Sequence, residues 1–283
     1  MSALAAPNDP PPLPGGLVEH GQRRRDWAFR PLTGALELTL AEAAEGAQDT
    51  PGAVTAVLSQ ALARLAGDSP AAQRVDALCL ADRQFLMRQL ARHLDADLGA
   101  PTPQWLSSRC PACGARFDFA LDTAALPVTE AGPGYPWAEL AGEDGVTRRF
   151  RLPVGADLSE LARQPDDTVE AWLLRRLAEA PDTLPLHDPA QIGAWAARVE
   201  AALDAIAPAL VLQVQAACPE CGTAHAVDLD PYGALRQAPD ALLQQVHRLA
   251  WHYHWSEAEI LALPRPRRLR YLQLIDQARG LSA

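Results

Sequence analysis

A short cysteine phrase occurs twice in this chain and constrains its fold more than any other feature. The first copy, Cys-Pro-Ala-Cys-Gly, runs from Cys110 to Gly114, and the second, Cys-Pro-Glu-Cys-Gly, runs from Cys218 to Gly222. In each copy the proline restrains the backbone and the glycine permits a tight turn, so two thiolates lie on one side of a loop. Two such loops supply the four sulfur ligands of a tetrahedral zinc site. The predicted Zn²⁺ ligands are Cys110, Cys113, Cys218 and Cys221.

The segments that follow the two loops also match each other. The aligned positions are Phe117, Phe119 and Leu121 in the first copy and His225, Val227 and Leu229 in the second. Their spacing of two is typical of a half-buried strand. The sequence therefore predicts two β-hairpins, at residues 101–122 and 208–232, which form the two halves of one zinc ribbon.

A second arrangement of ligands is compatible with the same spacing. Each hairpin could hold an incomplete site that a histidine completes, and His225 is the nearby candidate. His225 follows Cys221 by four residues and falls on the predicted strand, which favours an ordinary strand residue. Four thiolates, by contrast, fill the zinc tetrahedron and leave no position for water or substrate. The predicted zinc is accordingly structural.

The apolar patterns in the rest of the chain predict an α+β fold that is mainly helical. Residues 1–26 are Pro-rich and read as a flexible leader, because they carry too little apolar surface to offset the entropy of ordering. Residues 27–100 form a mostly helical region, and residues 123–207 form an insertion with a strand and helices between the ribbon halves. Residues 233–283 form a cap of three helices.

Local signals predict several helix ends. Thr50 is a candidate N-cap for a helix whose apolar face runs from Val54 through Leu65 and which Gly67 terminates. Asp82 is a candidate cap for the next helix. Near the C-terminus, Ser256 and Glu259 have the spacing of a capping box.

The composition limits the classes of function. The 283 residues are 48% apolar and 21% charged, which is ordinary for a globular protein, and the net charge is −10 with no lysine. This acidity argues against a broad phosphate-binding surface and makes nucleic acid an improbable partner. No segment approaches the roughly 20 apolar residues that span a bilayer, so we expect a cytoplasmic protein without membrane insertion, whose reduced thiols bind metal. Cys79, among apolar neighbours, is expected to be inert.

No catalytic motif is apparent. The sequence lacks a G-x-S-x-G elbow, a phosphate-binding glycine loop, an H-E-x-x-H helix and a dinucleotide fingerprint. His252 and His254 are two residues apart at a helix end and point in different directions in a helix. We therefore predict a protein that is not an enzyme and has no small-molecule substrate.

Three stretches resemble a known family. They are residues 30–34 with Glu37, residues 81–86, and a C-terminal stretch from Val246 to Leu272 that includes Trp255-Ser256-Glu257 and Arg267-Arg268-Leu269. In these stretches the chain is similar to the zinc-ribbon-bearing baseplate or baseplate-assembly proteins of contractile phage tails and related contractile injection systems. The similarity extends over most of residues 27–279 but is loose between residues 123 and 217.

The resemblance implies a non-enzymatic structural or assembly component that contacts baseplate hub, spike or wedge proteins and can be incorporated into a phage-tail-like particle. A zinc-ribbon protein that binds nucleic acid or regulates its use is the alternative, since ribbons often bind nucleic acid. A metal-dependent enzyme is a third possibility, which four thiolate ligands disfavour.

Overall fold

A computed structural model describes residues 10–96, 103–165, 168–186, 188–236 and 239–280. In these ranges the chain is a mixed α+β protein with ten α-helices and six two-stranded antiparallel sheets. The predicted mixture of helices and small sheets is therefore confirmed. The predicted boundary between residues 100 and 101 lies outside the described residues.

The elements follow one another in three groups. The first contains β1 (Leu17–Glu19), β2 (Gln22–Arg24), β3 (Trp27–Phe29), α1 (Gly34–Glu45), α2 (Thr50–Ala61), β4 (Leu62–Leu65), α3 (Ala72–Asp76) and α4 (Leu80–Ala96). The second contains β5 (Gln104–Arg109), β6 (Arg116–Leu121), β7 (Val128–Thr129), β8 (Trp137–Ala141), β9 (Thr147–Arg151), α5 (Gly155–Leu161), α6 (Val169–Leu177) and α7 (Pro189–Asp204). The third contains β10 (Ala209–Leu210), β11 (Gln213–Ala217), β12 (Ala224–Asp228), α8 (Pro239–Tyr253), α9 (Glu257–Leu261) and α10 (Arg265–Ala278).

The first group surrounds the largest apolar core. Helices α2 and α4 bury Val54, Leu58, Phe85 and Leu90 in it. Helix α2 is shorter than its apolar pattern predicts, because it ends at Ala61 and the chain continues as strand β4, which pairs with β3. Its N-cap is Asp49 rather than Thr50, since the Asp49 carboxylate accepts from the backbone N–H of Gly52 at 2.7 Å.

The prediction of a flexible leader over residues 1–26 is wrong for residues 10–26, and residues 1–9 lie outside the described residues. The segment forms the β1–β2 hairpin and buries the Leu13 side chain completely. The Pro11 carbonyl accepts a hydrogen bond of 2.8 Å from Trp27 Nε1. Proline residues lower the conformational entropy that the segment loses when it becomes ordered. The carbonyl of Pro11 also accepts a hydrogen bond from the core residue Trp27. The composition of the segment does not reveal this contact.

Asp82 ties this N-terminal segment to helix α4. It was expected to cap the helix, but it lies within the first turn and is fully buried. Its two carboxylate oxygens accept hydrogen bonds of 2.7 Å each from the backbone N–H groups of Gly15 and Gly16. A side chain on Gly15 would collide with Asp82 and with Tyr135, so glycine is required for this close approach.

We expect Asp82→Ala to lower the free energy of unfolding by about 2–4 kcal/mol, because both buried N–H groups lose their acceptor. Urea denaturation measures the change. Asp82→Asn is the matched control, since it keeps one acceptor oxygen and should cost less. A loss below about 0.5 kcal/mol for Asp82→Ala, the range of neutral surface changes, would contradict the assigned role.

The second group builds its own core between the two cysteine phrases. The β8–β9 hairpin places Phe150 against Trp195 of α7, with ring centroids 6.0 Å apart, and α6 adds Leu174 and Leu177. The insertion predicted over residues 123–207, with a strand and helices, contains the strands β7, β8 and β9 and the helices α5, α6 and α7. Strand β7 pairs with β10, so the predicted hairpin at residues 208–232 contains the short strand β10 in addition to β11 and β12.

The third group ends in α8, α9 and α10, which share a core around Leu249, Ile260 and Ile275. The capping box is present, since the Ser256 hydroxyl accepts from the Glu259 N–H and the Glu259 carboxylate accepts from the Ser256 N–H. A buried ion pair joins these helices to α1. Arg268 donates from one guanidinium nitrogen to both carboxylate oxygens of Glu37, at 2.7 and 2.9 Å.

Candidate metal centre

The two cysteine phrases form turns of the same geometry. In the first, Cys110 N–H donates to the Ala115 carbonyl at 2.9 Å and Gly114 N–H donates to the Cys110 carbonyl at 2.9 Å. In the second, Cys218 N–H donates to the Thr223 carbonyl at 3.0 Å, and Gly222 N–H donates to the Cys218 carbonyl at 2.9 Å. Gly114 and Gly222 have φ angles of 76° and 72°, which favour glycine. Each turn closes an antiparallel pair, β5 with β6 and β11 with β12.

The turns meet although 105 residues separate Cys113 from Cys218. The Sγ atoms of Cys110 and Cys221 are 3.6 Å apart, those of Cys113 and Cys218 are 3.7 Å apart, and all four lie within 4.8 Å of one another. A zinc ion with Zn–S bonds of about 2.3 Å requires sulfur separations of about 3.8 Å. The four sulfurs therefore fit a tetrahedral metal ion and are close to the positions that it would need.

The hairpins have little other means of staying together. Within residues 104–121 and 213–228, the only buried side chains are those of Cys110, Ala216 and Cys218. The remaining side chains alternate between half-buried and exposed along each strand. A pair of two-stranded sheets without a core is only marginally stable in water. In such units the free energy of metal binding stabilises the folded state.

The thiols of Cys221 and Cys113 differ in acidity. Hydrogen bonds from the Thr223 hydroxyl and amide lower the pKa of Cys221 to about 6, with the neighbouring thiols adding to the effect. At Cys113 the Ala115 amide lowers the pKa, but the thiols of Cys221, Cys110 and Cys218 and burial outweigh it and raise the pKa to about 12. Metals bind thiolates, so Cys221 is a more readily available ligand than Cys113, and metal binding releases protons from the thiols.

His225 does not complete the cluster. Its Nε2 lies 3.0 Å from the Ser108 hydroxyl of β5, and its ring packs edge-on against Phe117 of β6 with centroids 5.7 Å apart. Among the described residues, the four cysteines are the group whose ligand atoms converge, and His225 is not part of it. His225 is a strand residue that joins the two hairpins.

Cys79 lies apart from the metal centre and is buried near Asp82. Its Sγ is 3.4 Å from an Asp82 carboxylate oxygen. Burial, together with the negative charge of Asp82, raises the pKa of the Cys79 thiol far above its ordinary value. The expectation that this cysteine is inert agrees with that environment, because the thiolate is the reactive form.

Sequence reasoning missed two polar contacts that join distant parts of the chain. One is the Gly15–Asp82 contact and the other is the Glu37–Arg268 ion pair. The partners are far apart in sequence, so no local spacing could have linked them. His252 and His254 lie at the exposed end of α8 and outside the cysteine group.

Across the helices of the described ranges, none has both the length and the apolar character needed to cross a membrane. No protein-family model matches the chain, and neither a curated protein nor a solved structure matches it.

Proposed function

We propose that the chain is a non-enzymatic structural or assembly component of the baseplate of a contractile tail or injection system. One structural Zn²⁺ held by Cys110, Cys113, Cys218 and Cys221 makes the two hairpins a single zinc ribbon. The protein acts through contacts with hub, spike or wedge subunits. The convergence of the four sulfurs between hairpins that otherwise lack a core supports the structural metal site. The baseplate role rests on the family resemblance of the sequence.

The chemistry of the donor set supports a structural role. Four thiolates saturate a tetrahedral Zn²⁺, so a bound ion contributes folding energy and keeps no open position for a reactant. The ion would connect sequence positions that are more than a hundred residues apart, since Cys110 and Cys221 differ by 111. Its effect is therefore to fix where the helical insertion and the C-terminal helices lie relative to each other.

The residues that carry the family resemblance support a scaffold rather than a catalytic site. Glu37 and Arg268 pair inside the protein, and Asp82 binds backbone N–H groups. The fully buried Arg83 donates to the Pro51 carbonyl at 2.6 Å and to the Thr55 hydroxyl at 2.9 Å. The chain itself supplies partners for these polar groups, apart from Nη1 of Arg268, which has no hydrogen-bond partner among the described residues. Paired polar atoms are the usual state of buried groups that specify a fold.

The proposal predicts that the protein is found with an assembling baseplate. Antibody detection should locate it in purified contractile particles or in baseplate assembly intermediates from the cell that produces it, beside hub, spike and wedge subunits. Detection in intermediates alone would identify an assembly factor, and detection in particles would identify a permanent part. Absence from both would overturn the proposal.

The alternative, a zinc-ribbon protein that binds nucleic acid, draws support from Arg109 and Arg116, which lie opposite each other beside the first cysteine turn. Three carboxylates on the same two hairpins, Asp118, Glu220 and Asp228, outnumber them. We therefore expect weak DNA and RNA binding in a mobility-shift assay at low salt. Tight binding that falls steeply with salt and is lost in Arg109→Ala with Arg116→Ala would favour the alternative.

A further inference from the structure

A large apolar cavity lies between the first group of elements, at the start of helix α4, and the helices α6 and α7. It is separate from the cysteine cluster. Its volume is about 560 Å³. Its walls include Leu174 and Leu177 of α6 and Val199 and Leu203 of α7, while Leu80 and Leu212 line it with 38% and 36% of their surfaces exposed. A cavity of this size and composition is typical of a binding site for apolar groups.

Three carboxylates line the cavity, and no cation compensates them within the described part of the chain. Glu170, Glu200 and Asp204 line it, and no basic side chain is found among the described residues of its wall. All three carboxylate residues are exposed. None has an ion pair or a side-chain hydrogen bond within the described ranges, whereas many other acidic side chains of the protein are paired with arginine.

Two of these carboxylates occupy unfavourable positions on α7. Asp204 is the last residue of the helix, and the last turn carries no basic residue. The C-terminal end of a helix has partial negative charge and favours a cation. Glu200 lies four residues before Asp204, so the two negative charges are neighbours on one helix face and repel each other. A cation at the mouth of the cavity would relieve both effects.

We propose that this cavity binds a peptide segment of a partner protein that inserts aliphatic or aromatic side chains and carries arginine or lysine beside them. The apolar walls bind the inserted side chains, and Glu170, Glu200 and Asp204 bind the flanking cations. The inference goes beyond the baseplate proposal, because it rests on residues outside the metal centre and holds for any partner with this chemistry.

The test uses the full-length zinc-loaded protein and a phage-displayed library of random peptides. Enriched peptides should combine large apolar residues with adjacent arginine or lysine. Their affinities are then measured by fluorescence polarisation with synthetic labelled copies. Failure to enrich any peptide, or enrichment of acidic or uncharged sequences, would overturn the proposal.

Matched variants locate the binding site. Ala196→Trp fills the cavity from α7, and Ala197→Trp, at an exposed position that does not line it, is the control. We expect Ala196→Trp to weaken binding by about tenfold or more and Ala197→Trp to leave it unchanged. Equal affinities of these two variants for the peptide would place the peptide elsewhere and overturn the proposal. The proposal would also be overturned if the cavity bound residues 1–9 of the same chain in preference to the enriched peptides.

A second pair of variants tests the role of charge. Glu200→Gln with Asp204→Asn should weaken binding several-fold and reduce its dependence on salt. Glu42→Gln with Glu45→Gln removes the same charge from the exposed end of α1 and should have no effect. Equal effects of the two pairs would show that only net charge matters, which contradicts a site at α7. Circular dichroism of all variants confirms that they fold.

Discussion

Replacing Cys110 by Ser should lower the free energy of unfolding by more than about 4 kcal/mol, the range reached when a protein loses a metal site. Cys110 is buried at the junction of the two hairpins, where its Sγ lies 3.6 Å from that of Cys221. A serine hydroxyl does not replace a thiolate ligand of Zn²⁺, so three ligands remain and the ion is lost or weakly held. The hairpins have no core that could compensate.

Chemical denaturation of the zinc-loaded wild type and the variant measures this difference. Cys79→Ser is the matched control, because it makes the same chemical change at a buried cysteine outside the cluster. Its hydroxyl can donate to Asp82, which lies 3.4 Å from the Cys79 sulfur. A chelator should destabilise the wild type and Cys79→Ser and leave Cys110→Ser unaffected. Equal stability of Cys110→Ser and the wild type would show that the cluster does not support the fold.

Replacing Arg268 by Ala should lower the free energy of unfolding by about 3–5 kcal/mol, since the buried Glu37 carboxylate loses both of its hydrogen bonds to Arg268. Arg265 Nε remains 3.9 Å from this carboxylate, which is beyond hydrogen-bond distance. Arg268 is completely buried, and Glu37 is 7% exposed. The guanidinium donates to both oxygens of Glu37 and also to Gln245 Oε1 at 2.9 Å. Because Glu37 lies on α1 and Arg268 on α10, the variant should also loosen the C-terminal helices from the N-terminal core.

Thermal and urea unfolding measure the loss, and hydrogen exchange in α10 reports its location. The double variant Glu37→Leu with Arg268→Met removes both charges and should recover most of the stability, because an apolar pair can replace a buried ion pair. Arg270→Ala, an exposed change on the same helix, should cost less than about 0.5 kcal/mol. If the double variant is as unstable as Arg268→Ala, the loss of stability comes from packing rather than from the loss of the charged partner.

The parts of the fold that the sequence predicted correctly are those with local signals. The proline and glycine of each cysteine phrase determine a turn, and the spacing of two after it determines a strand, so β6 and β12 follow their turns as expected. The Ser256–Glu259 capping box likewise depends on residues three apart. The sequence also predicted that the four cysteines belong to one site, because they occupy matching positions in the two copies of the cysteine phrase. That the cluster binds a metal ion, and that this ion is zinc, stays a prediction.

The parts that the sequence did not predict depend on partners far along the chain. Asp82 is of a residue type that often caps helices. The glycines whose N–H groups it binds are 66 and 67 residues away in the sequence. The apolar run after Val57 continues into a strand because β3 supplies a pairing partner, which overrides helical periodicity. The cavity at α6 and α7 arises from the packing of separate groups of elements, and no pattern within one segment indicates it.

The central claim is that one Zn²⁺ joins both halves of the chain, and the metal content of purified variants tests it most directly. Zinc-to-protein ratios should be measured by mass spectrometry for the wild type, Cys79→Ser, Cys110→Ser and Cys221→Ser, after dialysis against zinc-free buffer. We expect a ratio near one for the wild type and Cys79→Ser, and loss of zinc in Cys110→Ser and Cys221→Ser alike, because each hairpin supplies half of the site. A wild-type ratio near zero or two, or zinc retained when one hairpin is altered, would contradict a single shared site.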